Sequence, residues 1–297
     1  MVSFCALPLP AYAQKALTIE ELLTAQQRWR LELGILYSNI EKTGVSVGQP
    51  ILVQTGPTQF ITLPSAIGEA HRNSDIVVFT PALRYGLRAD TELYGRGSAV
   101  LEDTRFQSSL GESRTHSTQR FVDAWVGVNH RFVQEGKFPA LLGFAEGALA
   151  ENVATAGSEF VFGKSWAFGV TSYRTIDPIV LSATVAYRLN VARTAEGQRL
   201  RPGNSLLIAP LASFAANEQI TLSTGVQWLL KEADEVKGVT PGTRATTTDL
   251  TLGLGYAFSK RVTLFFNARA NISGGGGANV GMTVLYKPGG GTEGGKR

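Results

Sequence analysis

The stretch DLTLGLGYAF, residues 249–258, sets Leu250, Leu252, Leu254, Tyr256 and Phe258 on one side of an extended chain. Asp249, Thr251, Gly253, Gly255 and Ala257 fall on the other. Side chains alternate across a strand with a period of two, so the segment has one bulky apolar face and one face of small or polar groups. A water-soluble sandwich needs bulky residues meeting from two sheets and a charged exterior. A closed barrel in lipid needs the reverse, an apolar exterior around a polar or small-residue interior. The segment reads as a strand of the second kind.

The same pattern recurs along the chain. Ile220, Leu222, Val226, Trp228 and Leu230 oppose Thr221, Ser223, Gly225 and Gln227, and Trp29, Leu31, Leu33, Ile35 and Tyr37 oppose Arg30, Glu32, Gly34 and Ser38. About a dozen such segments lie near 28–39, 75–87, 90–102, 119–133, 138–149, 158–173, 177–190, 204–214, 218–231, 245–258, 261–272 and 277–287. Each has roughly 10 to 16 residues, the length a tilted strand needs to cross an apolar layer, whereas soluble strands average five or six. In the segment from 158, Lys164 falls on the face of Phe162, Trp166 and Phe168, which requires either snorkelling at the outer rim or a bulge.

The connections alternate in length, as they do in outer-membrane barrels. RAD, QEGK, TIDP, ANEQ and SKR are tight turns, whereas residues 40–74, 103–118, 191–203 and 232–244 are long and polar. Residues 150–157 and 273–276 are shorter but occupy long-loop positions. Twelve strands then predict an all-β transmembrane antiparallel barrel over 28–287 with both ends on the periplasmic side.

Composition agrees. With 18% charged and 43% hydrophobic residues the chain has no continuous apolar run of the 18 to 20 residues that a spanning helix requires. The net charge of +4 comes without a Lys/Arg block, so nothing marks a nucleic-acid partner. Ala11-Tyr12-Ala13 after a short apolar stretch is the small-x-small pattern cleaved by signal peptidase, which makes residues 1–13 the remnant of a signal peptide and Gln14 the mature start. No basic region precedes the stretch. Cleavage removes the single cysteine, Cys5, so the mature chain has no disulfide, thiol nucleophile or thiolate-bound metal. Residues 14–27 form a periplasmic helix or plug in this reading, with Thr18 and Glu21 spaced as a capping box and Glu20 beside them in the first turn. Residues 288–297 form a flexible Gly-rich tail.

No catalytic or cofactor constellation emerges. Gly44-Val45-Ser46-Val47-Gly48 has the spacing of a nucleophile elbow without the strand-to-helix turn it needs. His71, His116 and His130 lack metal-ligand spacing, and the phosphate-loop spacing from Gly290 to Lys296 ends in Arg297 instead of Ser or Thr. No metal and no cofactor are expected.

Charges on the inward faces are the candidate site, because unpaired charges facing lipid would cost several kcal/mol. Running the strands up and down puts Arg30, Arg84 and Arg131 with Glu32 and Glu92 near the periplasmic end, and Arg96 at mid-barrel. Glu102, Asp123, Glu146 and Asp249, with Arg188 and Arg269, fall near the outer end. Either they form salt-bridged networks that fill a narrow barrel, or they form a constriction that selects solutes by charge. In the last strand, Asn279, Gly281, Val284 and Tyr286 follow the polar-x-Gly-x-x-apolar-x-aromatic order by which outer-membrane barrels are recognised for assembly.

The segments LTIEELLTAQQRWRLELGILYSN, QPILVQTGPTQFITLP and LRYGLRADTELYGRGS resemble the outer-membrane family of the meta-pathway of phenol degradation, and the related barrel of the Fap functional-amyloid export system. The resemblance implies a twelve-stranded pore, a helical plug before the first strand and a trimer. The sequence thus predicts a bacterial outer-membrane channel for passive transport of small solutes, hydrophobic or aromatic ones among them. The alternatives are an export pore for a polypeptide such as an amyloid subunit, and a closed structural or adhesive barrel. Expected partners are outer-membrane lipid, the barrel assembly machinery and further copies in a homo-oligomer.

Overall fold

The computed structural model describes residues 23–47, 51–63, 67–107, 113–154, 157–195, 197–240, 243–273 and 277–289. Its strands in chain order are β1 (Trp29–Val47), β2 (Ile51–Gln54), β3 (Phe60–Leu63), β4 (Ile67–Arg88), β5 (Thr91–Gln107), β6 (Ser113–Val133), β7 (Ala140–Asn152), β8 (Phe160–Val161), β9 (Ser165–Ile176), β10 (Ile179–Asn190), β11 (Arg193–Ala195), β12 (Gln198–Arg201), β13 (Ser205–Ala215), β14 (Ile220–Lys231), β15 (Glu235–Val236), β16 (Ala245–Ala257), β17 (Val262–Asn271) and β18 (Ala278–Tyr286). Twelve of them (β1, β4–β7, β9, β10, β13, β14 and β16–β18) pair in antiparallel order with their neighbours in the chain. The β6–β7 ladder and the β1–β18 ladder, from Leu31↔Tyr286 to Asn39↔Ala278, leave the sheet without an open edge. Closure matters in lipid, where no water can satisfy a bare strand edge.

The faces are those read from the sequence. Trp29, Leu31, Leu33, Ile35 and Tyr37 are 40–50% exposed on the outside of β1, whereas Arg30, Leu36 and Ser38 are buried inside. Trp29 and Tyr85 stack at 4.6 Å at the tight-turn end; Phe258 and Tyr286 are exposed at the same end, and Phe160, Trp166 and Trp228 near the other. Amphipathic rings at both ends form the girdles by which barrels sit at the two membrane interfaces. Among the described residues no helix is long and apolar enough to cross a membrane.

Four features depart from the sequence reading. First, β1, β4, β5 and β6 run for 19, 22, 17 and 21 residues, so much of 40–74 and 103–118 is strand and not loop. Gly44–Val47, the start of the elbow-like motif, belongs to β1. Second, Lys164 precedes β9: Gly163 has φ +63°, which breaks the extended chain after β8, so Lys164 sits at the rim and Ser165 starts a fresh register. Third, the helix expected from Leu17 does not include Leu23–Arg28, where Gln27 has φ 56° and the chain turns inward. Thr18, Glu20 and Glu21 lie outside the described residues, as does the proposed leader. Fourth, residues 51–63 form a hairpin that folds back into the barrel.

Candidate functional site

The interior is built in levels. At the tight-turn end Glu92, fully buried on β5, accepts from Arg84 Nη1 at 2.8 Å, Arg30 Nη2 at 3.3 Å and Asn129 Nδ2 at 2.7 Å. Glu32 bridges the two arginines, 2.7 Å from Arg84 and 3.5 Å from Arg30. The chain before β1 closes this level. Its Gln27 and Arg28 bond with Gly86, the Thr24 amide donates to Glu92 at 2.6 Å with its hydroxyl on the same oxygen, and Leu23 packs on Ala140, Leu142, Tyr173 and Val180 across the lumen. Gly86 is required here, since a Cβ would collide with the backbone of Thr24 and Ala25. Arg131 is not part of this cluster; its guanidinium caps the carbonyl of Ala89 at the rim, at 2.6 Å.

The middle level centres on Arg96, which donates to Glu146 at 3.0 Å and lies 4.0 Å from Asp123, while the Tyr94 hydroxyl donates to Glu146 at 3.1 Å. Asp123 and Glu146 therefore belong to mid-barrel, and not to the outer end. The Trp125 ring is sandwiched between the guanidinium groups of Arg96 and Arg188, each 4.9 Å from its centroid. Above, Arg188 and Arg193 meet Glu151 at 3.4 and 3.0 Å, Ser165 donates to Glu151 at 2.7 Å, and Arg120 lies 3.7 Å from Glu102. Pairing of this kind is what lets charges persist in a dewatered interior.

Arg120, Glu151 and Arg193 are absent from the sequence-derived set. Ser98 pairs with Asp123 but Ala99 with Phe121, so Val122 is an extra residue and the register of β6 shifts. Val122 and Asp123 both face inward, Phe121 turns to lipid and Arg120 turns in. A bulge of this type has no strong sequence mark. Glu151 was lost because β7 continues to Asn152, into what reads as loop.

The hairpin occupies the outer half of the lumen. Its β2 and β3 pair Val53 with Ile61 and Gln54 with Phe60, so one face carries Val53, Ile61 and Leu63 and the other Leu52, Gln54 and Phe60. The first face packs on Leu36, Ile76, Val78, Val100 and Val122; the second places Phe60 among Ala186, Leu207, Leu52, Phe144, Ala209 and Leu229. Among the described residues its polar ties to the wall are few: Gln227 bonds with Gln54, and Arg188 Nη1 donates to the Phe60 carbonyl at 3.0 Å. One face is apolar and the other mixes Leu52 and Phe60 with Gln54 and Thr62, so both gain from burial, which the lumen supplies.

The wall from β14 to β18 is different. Several of its inward residues, Ser223, Gly225, Thr251, Gly253, Asn267 and Thr283, are half-buried and small or polar, with the bulkier Leu229 and Phe265 between them. Its charges include Asp249, held by Asn271 Nδ2 at 3.0 Å, the buried Arg269, and Lys231 at the end of β14, 2.8 Å from Asp234. In β18, Asn279 and Gly281 face inward, and Val284 and Tyr286 lie on the lipid side opposite Leu33 and Leu31.

No protein-family model matches the chain, and no curated protein sequence matches it. Among solved structures, an outer membrane channel from Pseudomonas putida F1 superposes with a TM-score of 0.60 at 10% identity, over 94% of this chain and 99% of that one. The translocator domain of the autotransporter NalP from Neisseria meningitidis superposes with a TM-score of 0.53 at 10% identity, over 90% of this chain and 91% of that one. A channel and a translocator domain share the architecture, so function has to be argued from the lumen. Together the closed twelve-stranded ladder, the apolar exterior and these superpositions give the chain the fold of an outer-membrane β-barrel.

Proposed function

We propose that this protein is a passive channel of the bacterial outer membrane for small solutes, hydrophobic and aromatic ones among them, held closed at rest by its first outer loop. The observation that carries the reading is the hairpin 51–63, an apolar element tied to the wall by few polar bonds. A twelve-stranded barrel is wider than its wall side chains alone can fill, and here the space is taken by a separable element and not by the wall itself. Beside the hairpin, the wall β14–β18 carries many small inward residues, and we place the route of the solute along it, near Arg269 and Asp249. The charged ladder on the opposite wall pairs Arg30, Arg84, Arg96, Arg120, Arg188 and Arg193 with carboxylates, which suits a rigid frame better than a charge filter.

In this reading residues 1–13 are a cleaved leader, the segment before β1 plugs the periplasmic mouth, and Glu20 and Glu21 approach the arginines of the floor. The C-terminal strand addresses the assembly machinery through Asn279, Gly281, Val284 and Tyr286, and the chain is not an enzyme. The resemblance to the meta-pathway phenol-degradation family favours small permeants over a polypeptide. Planar-bilayer recording of the purified protein tests the proposal: brief openings, lengthened when the hairpin is removed, are expected. A barrel that stays silent without the hairpin and without residues 15–27 refutes it.

A further inference from the structure

Phe60 is the one aromatic side chain that the hairpin carries into the lumen among the described residues, and it is seated like a ligand. The residue is 6% exposed and clusters with Ala186 and Leu207, with Phe144 and Leu229 packed against the cluster, so four different barrel strands contribute to the seat. Its carbonyl oxygen accepts from Arg188 Nη1 at 3.0 Å. Arg188 is itself buried, braced by Glu151 at 3.4 Å and stacked on Trp125, and its Nε is buried without a hydrogen-bond partner. A small cavity lined by Trp125, Glu146, Arg188 and Ser205 continues the seat beside the ring. From ring to carbonyl, phenylalanine spells ring, methylene, second carbon and carboxyl carbon, which is the skeleton of a 3-phenylpropanoate.

Resting on the channel reading above, we propose that the seat of Phe60 is a binding site for single-ring arylalkanoates, and that the hairpin occupies it as an internal surrogate. The ring of the solute takes the apolar seat and its carboxylate replaces the backbone carbonyl on Arg188. An anion is a better partner than a neutral carbonyl for a buried guanidinium, because charge-assisted hydrogen bonds are about twice as strong as neutral ones. An apolar seat emptied of its ring readily accepts a small aromatic, since such cavities stay dry. Solute and hairpin therefore compete, and the permeant favours the open state by holding the seat that the hairpin leaves.

The test uses detergent-solubilised barrel in which Ile51–Leu63 is replaced by a short Gly-Ser linker, with folding checked by heat-modifiable gel mobility. Titration calorimetry should give 3-phenylpropionate an affinity at least about tenfold above that of the intact protein, and about tenfold above that of 3-phenylpropanol, a difference of about 1.4 kcal/mol. Arg188→Met in the same background should erase the preference for the acid. Equal affinity for acid and alcohol, or a preference that survives Arg188→Met, overturns the proposal. A second variant guards against misfolding of the first. Phe60→Ala keeps the hairpin backbone on Arg188 but vacates the ring seat, so toluene should raise its melting midpoint and leave that of the intact protein unchanged; no difference between the two overturns the proposal as well. Conductance recorded on the same preparations separates the two claims: openings without binding leave the channel reading standing and remove this one, and binding without openings does the opposite.

Discussion

Replacing Ile61 with alanine asks whether the hairpin is a docked gate. Ile61 has no exposed surface and packs with Leu36, Ile76, Val78 and Val100 against the wall. Removing its outer carbons costs about 2–5 kcal/mol when the neighbours cannot collapse into the gap. The ladders from β1 to β18 do not depend on that side chain, so the loss falls on docking and not on the barrel. A hairpin held at both ends can shift slightly to refill the space, which argues for the lower figure. About 2 kcal/mol changes the ratio of undocked to docked hairpin about 30-fold. Single-channel recordings should therefore show a rise of that order in open fraction, with unitary conductance unchanged. Leu252→Ala is the control: Leu252 faces lipid at 52% exposure, so truncating it removes similar apolar surface without touching the lumen. An unchanged open fraction in an Ile61→Ala barrel with normal heat-modifiable mobility would refute the gate.

Further outcomes follow from other levels of the structure. Glu92→Gln takes from Arg30 and Arg84 the buried carboxylate they share and weakens the seat of Thr24; breaking a buried pair in this way costs about 3–5 kcal/mol. The thermal midpoint should fall, and the companion change Arg84→Met should restore part of it. Thr283→Trp on the small-residue wall should lower unitary conductance while leaving the open fraction as it was, and an unaffected conductance would move the route elsewhere. Leu252→Arg puts a charge into lipid at about 2–4 kcal/mol if it lies at the midplane, so the assembled fraction after refolding should drop. Tyr286→Ala should reduce membrane levels more than deleting Gly289–Arg297, and the opposite order would mean that the assembly signal lies in the tail.

The barrel was legible because lipid imposes the same two-faced pattern on every strand. The alternation of Leu250, Leu252 and Leu254 against Thr251 and Gly253 repeats in each wall element, and tight turns such as RAD and ANEQ punctuate it. The lumen was legible only in part. Arg30, Glu32, Arg84, Glu92 and Arg96 sit on regular strands, so counting by twos found them. Past Val122 the same counting fails, and Arg120 was missed on the far side of that bulge. The hairpin has strands too short to stand out from a polar loop, although Ile51, Leu52 and Val53, and again Phe60 and Ile61, are apolar in immediate succession. A run with no polar face has to be buried on both sides, and within a barrel both sides means the interior. The bonds from Thr24 to Glu92 join positions 68 residues apart and carry no local signature.

The hairpin also fixes an order of events. Its contacts reach Arg188, 128 residues beyond Phe60, and Gln227, 173 residues beyond Gln54, while each wall strand pairs with its immediate successor among the wall strands. The ring seat is assembled from β7, β10, β13 and β14, all later in the chain than the hairpin, so it does not exist until that arc of the sheet has paired. Docking of residues 51–63 on this seat therefore has to wait for strands made long after it, and an early stretch of the chain takes its final place only once the middle of the barrel is built.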